Sequence, residues 1–182
     1  MSKWIKLLIS CLITSAIILI GLTQVGKSKA VVENPINQHA LLVADRIEVD
    51  KSERKLWLIN NDVLFREYPI ALGDSPEGHK AIEGDEKTPE GNYIIDWRNA
   101  KSIAHKSLHI SYPNANDKAV AKKLGASPGG NIMIHGTLNG YENWEDMLSK
   151  RDWTDGCIAV KNRHMNEIWQ SVKNGTKIQI KP

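Results

Sequence analysis

From Arg46 onward, apolar and polar residues alternate in short stretches separated by turn residues, and this pattern limits the chain to a mainly β domain. Side chains along a strand point alternately to its two faces, so a period of two predicts half-buried strands. Asn60-Asn61-Asp62 is typical of a hairpin connection. The predicted strands are residues 47–49, 55–60, 63–71, 92–97, 107–111, 131–135, 158–160 and 177–180.

A few short helices complete the prediction. Residues 117–124 have Asp117 as a candidate cap and Gly125 as a stop, and residues 143–150 form a second candidate. Asn162 can cap a third helix over residues 163–173, whose apolar side chains recur on one face. The long polar stretch from residue 73 to 91 is rich in glycine and proline, which is typical of a functional or mobile loop.

The start of the chain has the pattern of a targeting segment. Two lysines precede sixteen uncharged residues, from Leu7 to Leu22. That run is shorter than the roughly 20 apolar residues of a membrane span and close to the roughly 7–15 of a signal peptide. Ser28-Lys29-Ala30 then offers small residues for cleavage. We expect residues 1–30 to be a signal peptide or N-terminal membrane anchor, 31–43 a tether and 44–182 one folded domain, located in the periplasm or cell envelope.

Charge and cysteine content both depend on this segment. The chain has 24 basic and 21 acidic residues, but four of the lysines and no acidic residue lie before residue 31. The basic balance is therefore no sign of nucleic-acid binding, and no nucleic-acid partner is expected. Of the two cysteines, Cys11 lies in the segment and Cys157 in the domain. An exported domain with one thiol cannot form an internal disulfide, so Cys157 is inert, a cross-linking site or chemically used.

Two segments carry candidate chemistry: residues 132–137, which contain His135-Gly136, and residues 153–160, which contain Gly156-Cys157. A neighbouring imidazolium can lower the pKa of a thiol and then protonate a leaving amine. The Gly136 carbonyl is a candidate to orient His135. Gly156 lets a substrate backbone approach, and amides near Gly156 and Cys157 can bind a developing oxyanion.

Simpler interpretations stay open at this point. A lone cysteine is commonly a small buried apolar residue, and a histidine in a strand is commonly a core residue. A zinc site would have to combine Cys157 with histidines, but the chain lacks the usual paired-ligand motifs. Asp155 acts against a reactive thiol, because a carboxylate beside it raises its pKa unless the side chain turns away.

Together these residues resemble the active-site signature of the L,D-transpeptidase catalytic domain, the YkuD domain. That signature is a histidine followed by Gly or Ser and, after about two dozen residues or fewer, Ser/Thr-x-Gly-Cys; here it is His135-Gly136 and Thr154-Asp155-Gly156-Cys157. The resemblance covers roughly residues 44–181 and is nearest to the small, single-domain exported branch. Upstream it includes Val49-Asp50-Lys51-Ser52, Ala71-Leu72-Gly73, Gly78-His79-Lys80, Glu83-Gly84-Asp85, Thr88-Pro89-Glu90-Gly91 and residues 107–113.

The resemblance implies a β-sandwich-like catalytic domain and a cysteine L,D-transpeptidase that acts on peptidoglycan stem peptides through a thioester. Cys157 would be the nucleophile, His135 its base, the Gly136 carbonyl the group that orients His135, and Gly156 a source of an oxyanion amide. The acceptor would be a diaminopimelate amine or a lysine of a lipoprotein. The resemblance implies no cofactor and no metal, and family members are typically acylated by carbapenems.

One departure from the signature concerns the acceptor. Many family members have a second histidine where this chain has Asp155, and the variant resembles a branch in which some members hydrolyse wall linkages. The alternatives are therefore a hydrolase that cleaves a wall-attached lipoprotein or cross-links, or a catalytically silent peptidoglycan-binding module. Thr154, Asp155, His79 and His109 are the candidate substrate-binding residues; either histidine could equally be structural.

Overall fold

The computed structural model describes residues 42–182. The predicted signal or anchor, residues 1–30, and nearly all of the predicted tether, residues 31–43, lie outside this range. Among residues 42–182, no helix combines the length and apolarity that crossing a membrane requires.

Eight strands dominate the described residues, as the alternating pattern predicts. They are β1 (Arg46–Asp50), β2 (Lys55–Asn60), β3 (Val63–Pro69), β4 (Gly91–Asn99), β5 (Ser107–Ile110), β6 (Met133–His135), β7 (Ile158–Ala159) and β8 (Lys177–Lys181). The β2–β3 hairpin forms at the predicted turn, where Asn61 and Asp62 both adopt positive φ. Two successive positive φ values match the right-handed twist of the flanking strands, which explains the Asn-Asp pair.

The strands form one curled sheet in the order β3-β2-β1-β8-β4-β5-β6-β7. β8 lies in its centre, parallel to β1 and antiparallel to β4. A register shift in β4 between Ile95 and Trp97 turns the sheet, because β4 pairs with β8 before the shift and mainly with β5 after it. Ala71 and Ala159 exchange backbone hydrogen bonds of 2.8 and 2.9 Å, so the two ends of the sheet meet. The predicted mainly β, sandwich-like class is confirmed.

The core lies inside this curl and is mostly β-branched or aliphatic. One face of β1, β2, β4 and β8 supplies much of it, together with one face of the last helix. Apolar burial of this kind contributes about 1.5–3 kcal/mol per large side chain. Its fully buried members include Ile47, Leu56, Leu58, Ile95, Leu108, Ile110, Ile134, Ile158, Met165, Ile168 and Ile178.

The helices form near their predicted positions, but two predicted caps are wrong. α1 (Ala115–Lys123) begins two residues before Asp117, and Asn114 caps it. Asp117 is instead the third helical residue, whose carboxylate completes a capping box with the Asn114 backbone. The predicted helix 143–150 is a 3-10 turn (Glu142–Trp144) followed by α2 (Glu145–Leu148).

The last helix, α3 (Asn162–Ser171), has Lys161 as its cap residue and no side-chain cap bond. Asn162 is its first residue, and its side chain accepts a hydrogen bond from the backbone of Thr137 instead. The predicted apolar face is buried at Met165, Ile168 and Val172.

The long stretch between β3 and β4 is held by partly buried polar contacts. The Asp85 carboxylate accepts hydrogen bonds from Lys80 and from the amides of Ala81, Ile82 and Lys87. Burial by itself would raise the pKa of Asp85, but these donors lower it below its ordinary value. This segment therefore has a defined backbone path where it runs beside Gly156.

Candidate active site

Cys157 lies at the end of a tight turn that leads into β7. Thr154 closes the turn: its hydroxyl donates to the Cys157 carbonyl at 2.8 Å and accepts from the Gly156 amide at 3.2 Å. Gly156 has φ of +118°, and a Cβ there would lie 2.5 Å from the Lys87 carbonyl oxygen. Only glycine fits this position, because both the backbone angle and the close approach exclude a side chain.

His135 ends β6, and its ring has a fixed tautomer. Its Nδ1 lies 2.6 Å from the Gly136 carbonyl oxygen, which can only accept a hydrogen bond. Nδ1 therefore carries the proton and Nε2 keeps a free lone pair. The edge of the ring packs against Trp153, with 5.8 Å between ring centroids. This is the geometry that a general base requires.

His135 and Cys157 line the same cavity of about 510 Å³, which opens to the surface. In the resting arrangement the Cys157 thiol donates to the Asn131 carbonyl at 3.6 Å. The remaining wall mixes polar and apolar side chains from four loops and three strands. Its members are Asn99, Lys101, Ser102, Ile103, Ala104, Ser107, Asn131, Met133, Leu138, Trp153, Thr154 and Asp155.

Burial favours the neutral form of both reacting groups at rest. It lowers the pKa of His135, against the opposing effect of the Gly136 carbonyl. It also raises the pKa of the Cys157 thiol; the Met133 amide lowers that pKa, Asp155 raises it and Lys80 lowers it. A thiolate–imidazolium pair, expected from the sequence, is therefore disfavoured before substrate binds, and the site suits proton transfer from thiol to imidazole during attack.

The turn after His135 is held by two residues that the sequence did not single out for the site. The Asn162 side-chain oxygen accepts from the Thr137 amide at 2.8 Å. The Glu145 carboxylate accepts hydrogen bonds from the Thr137 hydroxyl and from the backbone amide of Asn162. Gly136 lies between His135 and this pair of contacts, so Asn162 and Glu145 fix the carbonyl that orients the ring. The sequence marked Asn162 as a polar residue at a helix start, but only as a candidate cap.

Comparison with known proteins agrees with this geometry. The family model of the L,D-transpeptidase catalytic domain, YkuD, matches residues 44–180. The chain belongs to the L,D-transpeptidase catalytic domain family. The Escherichia coli strain K12 protein named "Putative L,D-transpeptidase YafK" is 29% identical over 174 residues. The match covers 92% of this chain and 63% of YafK, so the chain spans less than two thirds of that relative's length.

Two solved structures share the fold of this L,D-transpeptidase domain. The helical cell shape determining protein Pgp2 from Campylobacter jejuni is 24% identical with a TM-score of 0.55. That match covers 74% of this chain and 46% of Pgp2. Bd1075 from Bdellovibrio bacteriovorus is 25% identical with a TM-score of 0.52, over 77% of this chain and 51% of Bd1075.

The four predicted substrate-binding residues lie in two different places. Thr154 and Asp155 line the cavity, with Thr154 buried and Asp155 exposed. Neither His79 nor His109 is among the residues that line this cavity. Contact of any of them with substrate stays a prediction.

Both histidines make contacts within the domain. His79 accepts from the Glu90 amide at 2.9 Å through Nδ1, so Nε2 carries the proton 3.2 Å from the buried carboxylate of Asp117. His109 lies 2.6 Å from Asp96 and stacks on the Trp97 ring. These contacts favour the structural interpretation of the two side chains.

The Gly156 amide was predicted to bind the oxyanion, but in the structure it has another partner. Because it donates to the Thr154 hydroxyl inside the turn, it is engaged in this conformation and cannot at the same time serve an oxyanion. Among residues 42–182, no group of three or more His, Cys, Asp or Glu residues is arranged to hold a metal ion.

Proposed function

We propose that this domain is a cysteine acyltransferase that acts on the stem peptides of peptidoglycan in the cell envelope, through a thioester on Cys157. The observation that carries the proposal is the shared cavity of Cys157 and His135, with the imidazole held by the Gly136 carbonyl so that Nε2 is an acceptor. Membership of the L,D-transpeptidase family supports the substrate class.

The first half-reaction forms the thioester. The Cys157 sulfur attacks the carbonyl carbon of the donor peptide bond while its proton passes to His135 Nε2. The tetrahedral oxyanion is stabilised by the Cys157 amide, and by the Gly156 amide once substrate releases it from Thr154. The C–N bond then breaks, and the imidazolium returns the proton to the leaving amine, the terminal D-amino acid.

The second half-reaction transfers the acyl group to an acceptor. An amine or a water molecule attacks the thioester carbon and gives a proton to His135 Nε2; the sulfur leaves and takes the proton back. An amine gives transpeptidation and water gives hydrolysis. The exposed Asp155 carboxylate in the cavity wall favours a hydrated site, and this supports hydrolysis as the second candidate.

The test uses the full chain with purified disaccharide-tetrapeptide, intact-protein mass spectrometry and muropeptide analysis. Wild type is expected to gain the acyl mass, and Cys157→Ala to gain none and lose about a thousandfold or more in turnover. Cys11→Ala is the matched control, because it removes the chain's other thiol and should change nothing. Turnover by Cys157→Ala would refute the nucleophile. New cross-links indicate transfer, whereas shortened or unlinked stems indicate hydrolysis.

A further inference from the structure

Ser107, the first residue of β5, has a buried hydroxyl that makes no hydrogen bond within residues 42–182. The residue is fully buried, and its Oγ has no partner there. Burying a hydroxyl without a hydrogen bond is costly, so buried polar groups are nearly always paired. The buried hydroxyls of Thr88, Thr137 and Thr154, by contrast, all have partners.

The position of Ser107 puts this hydroxyl beside the catalytic base. β5 and β6 are antiparallel, and Ser107 is directly opposite His135 in their register. Directly opposite residues point to the same face, with Cβ atoms about 4.5–5.5 Å apart. Both residues line the cavity that contains Cys157. The Ser107 Oγ has almost no exposed surface in this arrangement, so a small polar molecule near Nε2 would reach it once the serine side chain turns about χ1 toward the cavity.

The donor and acceptor inventory of the two groups indicates what such a molecule is. His135 Nδ1 is already bonded to the Gly136 carbonyl, so Nε2 can accept one proton from the cavity side. A hydroxyl oxygen beside it can accept a second hydrogen. A neutral amine and a water molecule both have one hydrogen to lose and at least one more to donate. These are the two acceptor classes of the second half-reaction.

We propose that Ser107 is a catalytic residue that binds the attacking acceptor in the second half-reaction. This inference rests on the proposed function. The acceptor donates one hydrogen bond to Ser107 Oγ and a second to His135 Nε2, which aims its lone pair at the thioester carbon. The new C–N or C–O bond forms, the proton on Nε2 passes to the departing sulfur, and the Ser107 hydroxyl keeps its own proton throughout.

Loss of this contact should slow the second half-reaction alone. A single hydrogen bond of this type corresponds to a change of about tenfold in rate. If thioester breakdown limits turnover in Ser107→Ala, kcat and KM should fall together about tenfold while kcat/KM, which reports acylation, stays unchanged. The acyl-enzyme should then accumulate in the steady state.

If the hydroxyl were merely structural, its removal would lower the melting temperature. Because the Ser107 Oγ has no partner within the described residues, Ser107→Ala should leave the melting temperature unchanged or raise it. Ser107→Thr keeps the hydroxyl and suits a strand, so it should restore thioester breakdown. Ser171→Ala is the control, because Ser171 is also a buried serine but does not line the cavity.

The experiment follows the acyl-enzyme of the full chain by rapid-quench mass spectrometry with disaccharide-tetrapeptide. Accumulation in Ser107→Ala, with wild-type behaviour in Ser171→Ala, supports the assignment. Equal thioester lifetimes in wild type and Ser107→Ala overturn it and leave the proposed function standing. Equally slow breakdown in Ser107→Ala and Ser107→Thr also overturns it. A wild-type protein that never forms the thioester overturns both proposals.

Discussion

Gly136→Ala tests whether the turn after His135 holds the imidazole in place. A Cβ on Gly136 would lie 2.4 Å from the Asn162 side-chain oxygen and 2.8 Å from His105 Cβ. Neither distance is tolerable for non-bonded atoms, so one neighbour has to move. The Asn162 side chain can rotate away, but it would then lose its 2.8 Å hydrogen bond from the Thr137 amide.

The expected cost combines two terms. Inserting a methyl group into a packed site costs about 1–3 kcal/mol, and losing one buried hydrogen bond adds about 1 kcal/mol. The free energy of unfolding should therefore fall by about 2–4 kcal/mol. For a domain of this size that corresponds to a melting temperature lower by about 8–16 °C. Adduct formation at Cys157 should slow as well, because the Gly136 carbonyl moves away from His135 Nδ1.

Thermal unfolding and time-resolved mass spectrometry with a carbapenem measure the two effects. Gly130→Ala is the matched control. Gly130 also has an ordinary φ, and its added Cβ would lie 3.8 Å from the nearest atom, on Pro113. That variant should keep its adduct rate and lose no stability, since alanine reduces the entropy of the unfolded chain. A Gly136→Ala protein that has the melting temperature of wild type and forms the adduct at the same rate would refute the reasoning.

Two further predictions concern pH and the contacts of Asp152. The rate of carbapenem addition to Cys157 should reach half its plateau below pH 6.5, because burial lowers the pKa of His135 and keeps it neutral in more acidic solution. A midpoint above 6.5 in a pH series would contradict this. Asp152→Asn should lower the free energy of unfolding by about 1–2 kcal/mol, because Asp152 accepts from the Leu72 amide and from Arg54. An unchanged urea midpoint would contradict that.

The strands could be predicted because each is specified by residues next to one another in the chain. Alternation of side chains and an Asn-Asp turn are local signals, and the β2–β3 hairpin formed where they indicated. The helix starts were less certain, because several residues at a helix start can supply the same hydrogen bond. Asn114 and Asp117 both suit a cap, and the capping box uses both of them.

The candidate site could be predicted only in part, for a physical reason. The proton position on His135 could be anticipated, because the residue that fixes it is its neighbour Gly136. The contacts of Asn162 with Thr137 and of Ser107 with His135 join residues 25 or more positions apart. Nothing in the local sequence encodes such contacts, and Asn162 therefore looked like a cap. Burial of the thiol, which disfavours a thiolate–imidazolium pair before substrate binds, is likewise a property of the assembled sheet.

The central position of β8 in the sheet has a consequence for how the protein folds during its synthesis. β8 follows Cys157 by some twenty residues in the chain, yet it joins β1 to β4 and thus the two halves of the sheet. During synthesis the thiol emerges before the strand that completes the sheet around it. Until β8 inserts, the strands that carry His135 and Cys157 are not joined to β1, and the core behind them is incomplete. The protein is thus expected to stay chemically silent while its chain is still being made, and to become reactive in one cooperative step.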